Sequence, residues 1–339
     1  MSHHPFRSVV QLSWWLVCLS ISLLLLGLFT GSVGFELNGW QDPILQDIRL
    51  PRTLGAWLAG ALLGLSGALA QGLFRNPLAD PYLLGSASGA TLGVTIALVL
   101  GLWSGTRLPG EAWWAMQWAW RLGLTGCAFA GAWVAVLLTL MLAQGVQHTL
   151  RLLLAGVVVG VVLGAITSLL MVATPQVLPA MQAFTLGSTS MVSGASCGLM
   201  SLVLFLCWLF SWRLSPLLNG LSLGELTAQS LGLQVAPLRL VLLAVMALAT
   251  ATAVAQTGLI AFVGLVAPHL VRARVRATFA ASSVLSALMG GVLLCFADIM
   301  ARWIMAPQEL PVGVLTAIFG GGYLLWLLQS RVMREGDAS

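Results

Sequence analysis

The chain has 339 residues, 59% of them hydrophobic and only 7% charged, with a formal charge of +5. That balance excludes a soluble globular domain and reads as an integral membrane protein. All 15 basic residues are arginine, so the chain has no lysine to reach the β- and γ-phosphates in a P-loop and no amine for Schiff-base chemistry; any ATP hydrolysis must belong to another subunit.

About twenty apolar residues are needed to cross a bilayer's hydrocarbon core. Windows near 12–30, 53–73, 86–102, 119–143, 150–172, 195–212, 236–256, 258–271, 278–298 and 311–330 meet or approach that length. They predict an all-α polytopic membrane protein of about ten transmembrane helices, a single domain over 1–339, with no soluble domain appended. The first helix has a basic start but too long an apolar run and no small-residue cleavage site, so it is a permanent span rather than a signal peptide. The second is bracketed by Arg49-Leu50-Pro51-Arg52 and by Arg75-Asn76-Pro77, charge and proline marking where the helix meets water. Trp103, Trp113, Trp114, Trp118 and Trp120 cluster beyond the third window and predict an interfacial belt. In the fifth, Gly156, Gly160 and Gly164 repeat at a spacing that lets a neighbouring backbone approach.

Between the sixth and seventh windows, 213–239 is long enough to fold by itself, and 223–232 reads as a short helix. Ser222 is its candidate cap, Glu225 completes a capping box, and Gly232 supplies the stop. The window around Phe262 is short and glycine-interrupted, so it lies partly inside the bundle; His269 at its end is a structural hydrogen-bonder. Cys18, Cys127, Cys197, Cys207 and Cys295 lack metal-ligand spacing and read as packing residues, so no metal site is expected.

Positive residues are retained on the cytoplasmic side. An N-terminus inside places Arg7, Arg75, Arg151, Arg213, Arg239, Arg272, Arg274, Arg276, Arg331 and Arg334 there, against Arg49, Arg52, Arg107, Arg121 and Arg302 outside. Both termini are therefore expected in the cytoplasm. The charge is explained by topology and gives no reason to invoke nucleic acid.

Two rival classes fail on placement. Gly64-Leu65-Ser66-Gly67 reproduces the G-x-S-G string of intramembrane rhomboid proteases, but a serine nucleophile needs a base, and His3, His4, His148 and His269 all fall at helix ends or the terminus. No catalytic residue is assigned. An ion-coupled secondary transporter buries ionisable groups at the bilayer midplane, whereas the acids here fall at helix ends or loops, with Asp298 nearest to an exception.

Seven strings occur in a family-like order: Arg49-Leu50-Pro51-Arg52, Arg75-Asn76-Pro77-Leu78-Ala79-Asp80-Pro81, Leu84-Gly85 with Gly89-Ala90, Arg151 to Gly156, Leu223-Gly224-Glu225 with Leu231-Gly232, Gly258 to His269, and Glu309 to Ala317. On these the sequence resembles the FecCD-like permeases of type II ABC importers for ferric siderophores, haem and cobalamin. The resemblance implies a homodimer around a central pathway in the bacterial inner membrane. It also implies two ATP-binding cassette subunits, which hold ATP and Mg, and a periplasmic substrate-binding protein. No cofactor is expected on this chain itself, and lipid is its only other surroundings. By the same resemblance Arg49, Arg52 and Arg302 dock the binding protein, Arg302 having the plainer alternative of pairing with Asp298. Asn76, Leu78, Thr149 and Leu150 line the cytoplasmic gate, Gly224, Glu225 and Leu231 couple to the ATPase, and the helix bearing Gly156, Gly160 and Gly164 flanks the pathway. An iron chelate is the expected cargo on family breadth, with cobalamin as the alternative.

Overall fold

The computed structural model describes residues 5–31, 34–35, 44–103, 113–143, 149–222, 224–230 and 235–336. α1 (Pro5–Phe29) leads through a two-residue hairpin, β1 (Thr30–Gly31) against β2 (Gly34–Phe35). A π-helical turn, Leu45–Arg49, then opens α2 (Leu50–Leu73), and a 3-10 turn, Pro81–Leu84, precedes α3 (Ser86–Trp103). α4 (Trp113–Leu142), α5 (Thr149–Ala173), the short α6 (Leu178–Leu186) and α7 (Gly194–Arg213) follow. Two small helices, α8 (Ser215–Ser222) and α9 (Glu225–Ser230), come before α10 (Val235–Thr257), α11 (Val263–Arg274), α12 (Phe279–Trp303) and α13 (Val312–Gly336).

Each of the ten apolar windows falls on one helix. Seven of these helices, α1, α2, α4, α5, α7, α10 and α12, are long and apolar enough to cross a bilayer, and α3 and α13 carry shorter apolar stretches. α11 has 12 residues, about 18 Å of rise, roughly half a bilayer core. The chain enters it without helical structure, through Gly258 at φ 71° and Phe262 at φ 67°. Irregular backbone at membrane depth requires partners from protein: Leu259 N donates to the Phe184 carbonyl at 3.0 Å, and the Ile260 carbonyl accepts from Tyr82 Oη at 3.0 Å. The expectation of a span lying partly inside the bundle is thereby explained.

α2 is the centre of the bundle, the most deeply buried of the seven long spans, packed against α12, α10, α11 and α7. Small residues permit this. A side chain at Gly60 or Gly64 would strike the Gly290 or Ser286 carbonyl of α12, and one at Gly67 would strike the Gly264 carbonyl of α11. Ser66, fully buried, donates to the Met246 carbonyl at 3.1 Å and lies 2.6 Å from Thr250 Oγ1. The G-x-S-G string is thus helix packing against α10. Cys197 and Cys207 behave likewise, their thiols directed at the Pro51 and Val245 carbonyls. Among the described residues no cluster of His, Cys, Asp and Glu is arranged to hold a metal.

Candidate functional site

At the end of the bundle where α2 begins and α12 ends, charge is concentrated inside the protein. Arg49 closes the π-helical turn and is 9% exposed, Arg52 lies in the first turn of α2 at 8%, and Arg302 lies in the last turn of α12 at 1%. Arg52 Nε donates to Asp298 Oδ1 at 3.3 Å, and its Nη1 donates to the Glu309 carboxylate at 2.8 Å. Arg302 Nη2 pairs with the other Asp298 oxygen and with Thr53 Oγ1. Its Nη1 donates to the Gly27 carbonyl at 2.9 Å and the Thr30 carbonyl at 3.1 Å. Thr189, in the loop before α7, donates to Asp298 as well.

Burying charges costs several kcal/mol each unless they are paired and their donors satisfied, and here two guanidiniums and two carboxylates form a neutral, hydrogen-bonded set in which Arg302 Nε alone of the Arg302 donors has no partner among the described residues. Arg302, expected at the docking face, is corrected by this geometry: it has no surface to offer and holds Asp298, as its i, i+4 spacing allows. The part of the set that reaches the surface is Arg52 with Glu309, whose side chains are 10% and 30% exposed.

The opposite end is built on the turn after α2. Arg75 takes a left-handed conformation, φ 51°, and the Asn76 side chain accepts from Leu78 N at 2.9 Å, both residues being exposed. Asp80 caps the Pro81–Leu84 turn by accepting from Tyr82 N at 2.7 Å. Burial pushes the Asp80 carboxyl up to about 6 against that hydrogen bond. The turn folds back onto α5, where a side chain at Gly156 would meet the Leu83 carbonyl. Leu150 lies fewer than two turns earlier on α5 and is 77% exposed, so the turn and the start of α5 share one end of the bundle. Thr149 is the first residue of α5, described in its backbone only. Of the three α5 glycines, only Gly156 makes a close approach; a side chain at Gly160 would meet Ser88 at ordinary distance, and around Gly164 there is open space.

The connector between α7 and α10 differs from its expected form. Ser222 ends α8 and does not cap the next helix; Gly224, at φ 123°, sits immediately before α9. α8 is anchored by buried Leu217, Leu218 and Leu221, and Asn219 Oδ1 accepts from Phe279 N at 3.0 Å, at the start of α12. Glu225 opens α9, and Leu231 lies outside the described residues. Neither the Asn219–Phe279 hydrogen bond nor the mid-chain helix α6 is announced by the sequence. His269 stacks edge-on to Tyr323 with ring centroids 5.9 Å apart.

The FecCD transport family model matches residues 11–330. The chain belongs to this family. It is 38% identical, over 93% of its own length and 94% of theirs, to the vitamin B12 import system permease protein BtuC of Shigella boydii serotype 18 and of Escherichia coli O157:H7. A transporter of the metal-chelate ABC type, solved in an inward-facing conformation, superposes with a TM-score of 0.82 at 29% identity, covering 95% of this chain and 99% of the other. PsaBC from Streptococcus pneumoniae, solved in complex with a Fab, shares the fold alone, with a TM-score of 0.52 at 20% identity over 78% of this chain and 88% of that one. The family member is therefore a multi-pass permease subunit of an ABC importer, working with ATPase and binding-protein partners, and ATP hydrolysis lies in a separate subunit. The named relatives are vitamin B12 import permeases.

Proposed function

We propose that the chain forms the homodimeric permease of a cobalamin importer, receiving cargo from a periplasmic binding protein and driven by two cytoplasmic ATP-binding subunits that carry ATP and Mg. The observation that carries this reading is the 38% identity to vitamin B12 permeases over nearly the whole of both chains. Arg49 and the Arg52–Glu309 edge form the docking face in this reading, with Arg302 and Asp298 behind them as support. Asn76, Leu78, Thr149 and Leu150 border the cytoplasmic exit. Gly224, Glu225 and Leu231 engage the ATPase, and the Asn219–Phe279 hydrogen bond passes the motion of α8 to α12. α12 then reaches the docking face some 37 Å away at 1.5 Å per residue over its 25 residues. Coupling of this kind requires nucleotide and binding protein to favour different permease conformations.

Ferric siderophore or haem is the second reading, favoured by the superposition on a metal-chelate type transporter. Uptake by proteoliposomes containing the permease, its ATPase and its binding protein decides between them. Labelled cobalamin is expected to accumulate in an ATP-dependent way. Accumulation of a ferric siderophore or haem with none of cobalamin would overturn the proposal.

A further inference from the structure

At the end of the bundle away from the buried ion set, a cavity of about 1190 Å³ opens between the last turn of α2, the end of α11, the start of α12 and α8. Arg75, Arg272 and Arg276 line it. All three are exposed, and among the described residues none has an ion-pair partner. This is unlike Arg52 and Arg302, which are neutralised within the protein. Gln71, 2% exposed, also lines the cavity; its Nε2 donates to the Leu265 carbonyl at 3.0 Å, and its Oε1 has no donor.

The cavity sits at the ends of α2 and α12, helices long and apolar enough to cross a bilayer. Arg75 is two residues past α2, Arg272 is in the last turn of α11, Arg276 is two residues past that helix, and Thr278 immediately precedes α12. One wall is apolar, with Val9 of the outer helix α1 beside Leu218 and Phe279. Guanidiniums at headgroup height next to an apolar wall match an amphiphile whose phosphate is anchored by charge and whose glycerol backbone rests on hydrocarbon. An acidic protein surface would match the arginines and leave that wall wet.

We propose that this cavity binds the phosphate of an anionic membrane lipid, the chemistry of a phosphatidylglycerol headgroup. The inference needs only a membrane-spanning chain and does not depend on the cargo or on the ATPase assignment.

Native mass spectrometry of the permease released from nanodiscs of phosphatidylcholine with phosphatidylglycerol tests it. The unaltered protein is expected to retain phosphatidylglycerol selectively. An Arg near an anionic surface contributes about a fivefold gain in affinity, so the Arg75→Gln/Arg272→Gln/Arg276→Gln variant is expected to hold the lipid on the order of 100-fold more weakly. Arg213→Gln, outside the cavity, is expected to hold it normally. If the triple variant fails to fold, the Arg276→Gln single variant is expected to show about a fivefold loss. Three results would overturn the proposal: equal lipid retention by the triple variant and the unaltered protein; displacement of the lipid by millimolar inorganic phosphate, which marks a soluble-anion site; or normal lipid retention with loss of the co-purifying ATP-binding subunit, which marks a protein dock.

Discussion

Asp298 receives three side chains, from Arg52, Arg302 and Thr189, and its burial makes each of them matter. Removing Arg302 leaves a buried carboxylate with the Thr189 hydroxyl and one long contact to Arg52, both on the same oxygen, a change that costs about 3–5 kcal/mol in comparable buried pairs. Arg302→Met is therefore expected to lower the thermal stability of the detergent-purified permease markedly, and Arg302→Met with Asp298→Leu to recover most of the loss. A double variant no more stable than the single one would show that the set is not acting as a unit. Asp80 makes a separate prediction. Its folded pKa, about 6, lies above the ordinary 3.8, so its contribution to stability is complete below about pH 4 and is lost as pH rises through about 6. Asp80→Asn keeps the acceptor for Tyr82 N and is expected to be the more stable form at pH 7.5, by on the order of 2 kcal/mol, and no more stable at pH 4; a difference independent of pH would reject the titration. The Arg302–Asp298 pair was legible because four residues on a helix share a face. Arg52 was legible only as a charged helix end, since its partner lies 246 residues away and nothing local announces it.

The elements themselves were legible wherever a span is long and apolar, because membrane crossing imposes its length on the sequence. The short pieces were not. α6 has nine residues and begins at Leu178 after a proline-led turn, with no cap side chain to mark it, and the break between α8 and α9 depends on the positive φ of Gly224, where a Ser222 capping box competed for the same stretch. Glycine spacing on α5 predicted three equivalent contacts, yet only Gly156 meets backbone, because the Pro81–Leu84 turn covers one end of the helix. Gly67→Ala is expected to force α2 from α11 and to reduce the yield of folded, membrane-inserted protein. Gly164→Ala, facing open space in the isolated protomer, is expected to be tolerated and to gain up to about 1 kcal/mol of helix propensity. Comparison of melting temperatures and membrane yields checks both, and a damaging Gly164→Ala would mean that a second copy of the chain packs there.

For the whole molecule, the distribution of arginine predicts both termini in the cytoplasm. A fluorescent-protein fusion after Gly336 is expected to fluoresce, and an alkaline phosphatase fusion at the same point to be inactive; the reverse pattern would invert the assignment of both ends. What the sequence could not convey was how unequally the spans share the interior. The window of α2 is 89% buried within one protomer, whereas those of α1, α4 and α7 are 28% buried. The outer helices therefore meet lipid or another chain, and α2 meets almost none. Hydrophobic mismatch acts through lipid-facing surface, so thickening or thinning the bilayer should tilt the outer helices while the axis of α2 keeps its length and its neighbours. α2, which joins the buried ion set at one end of the bundle to the turn after Leu73 at the other, is thereby insulated from the membrane it crosses, and the distance between those two ends should be the same in bilayers of different thickness.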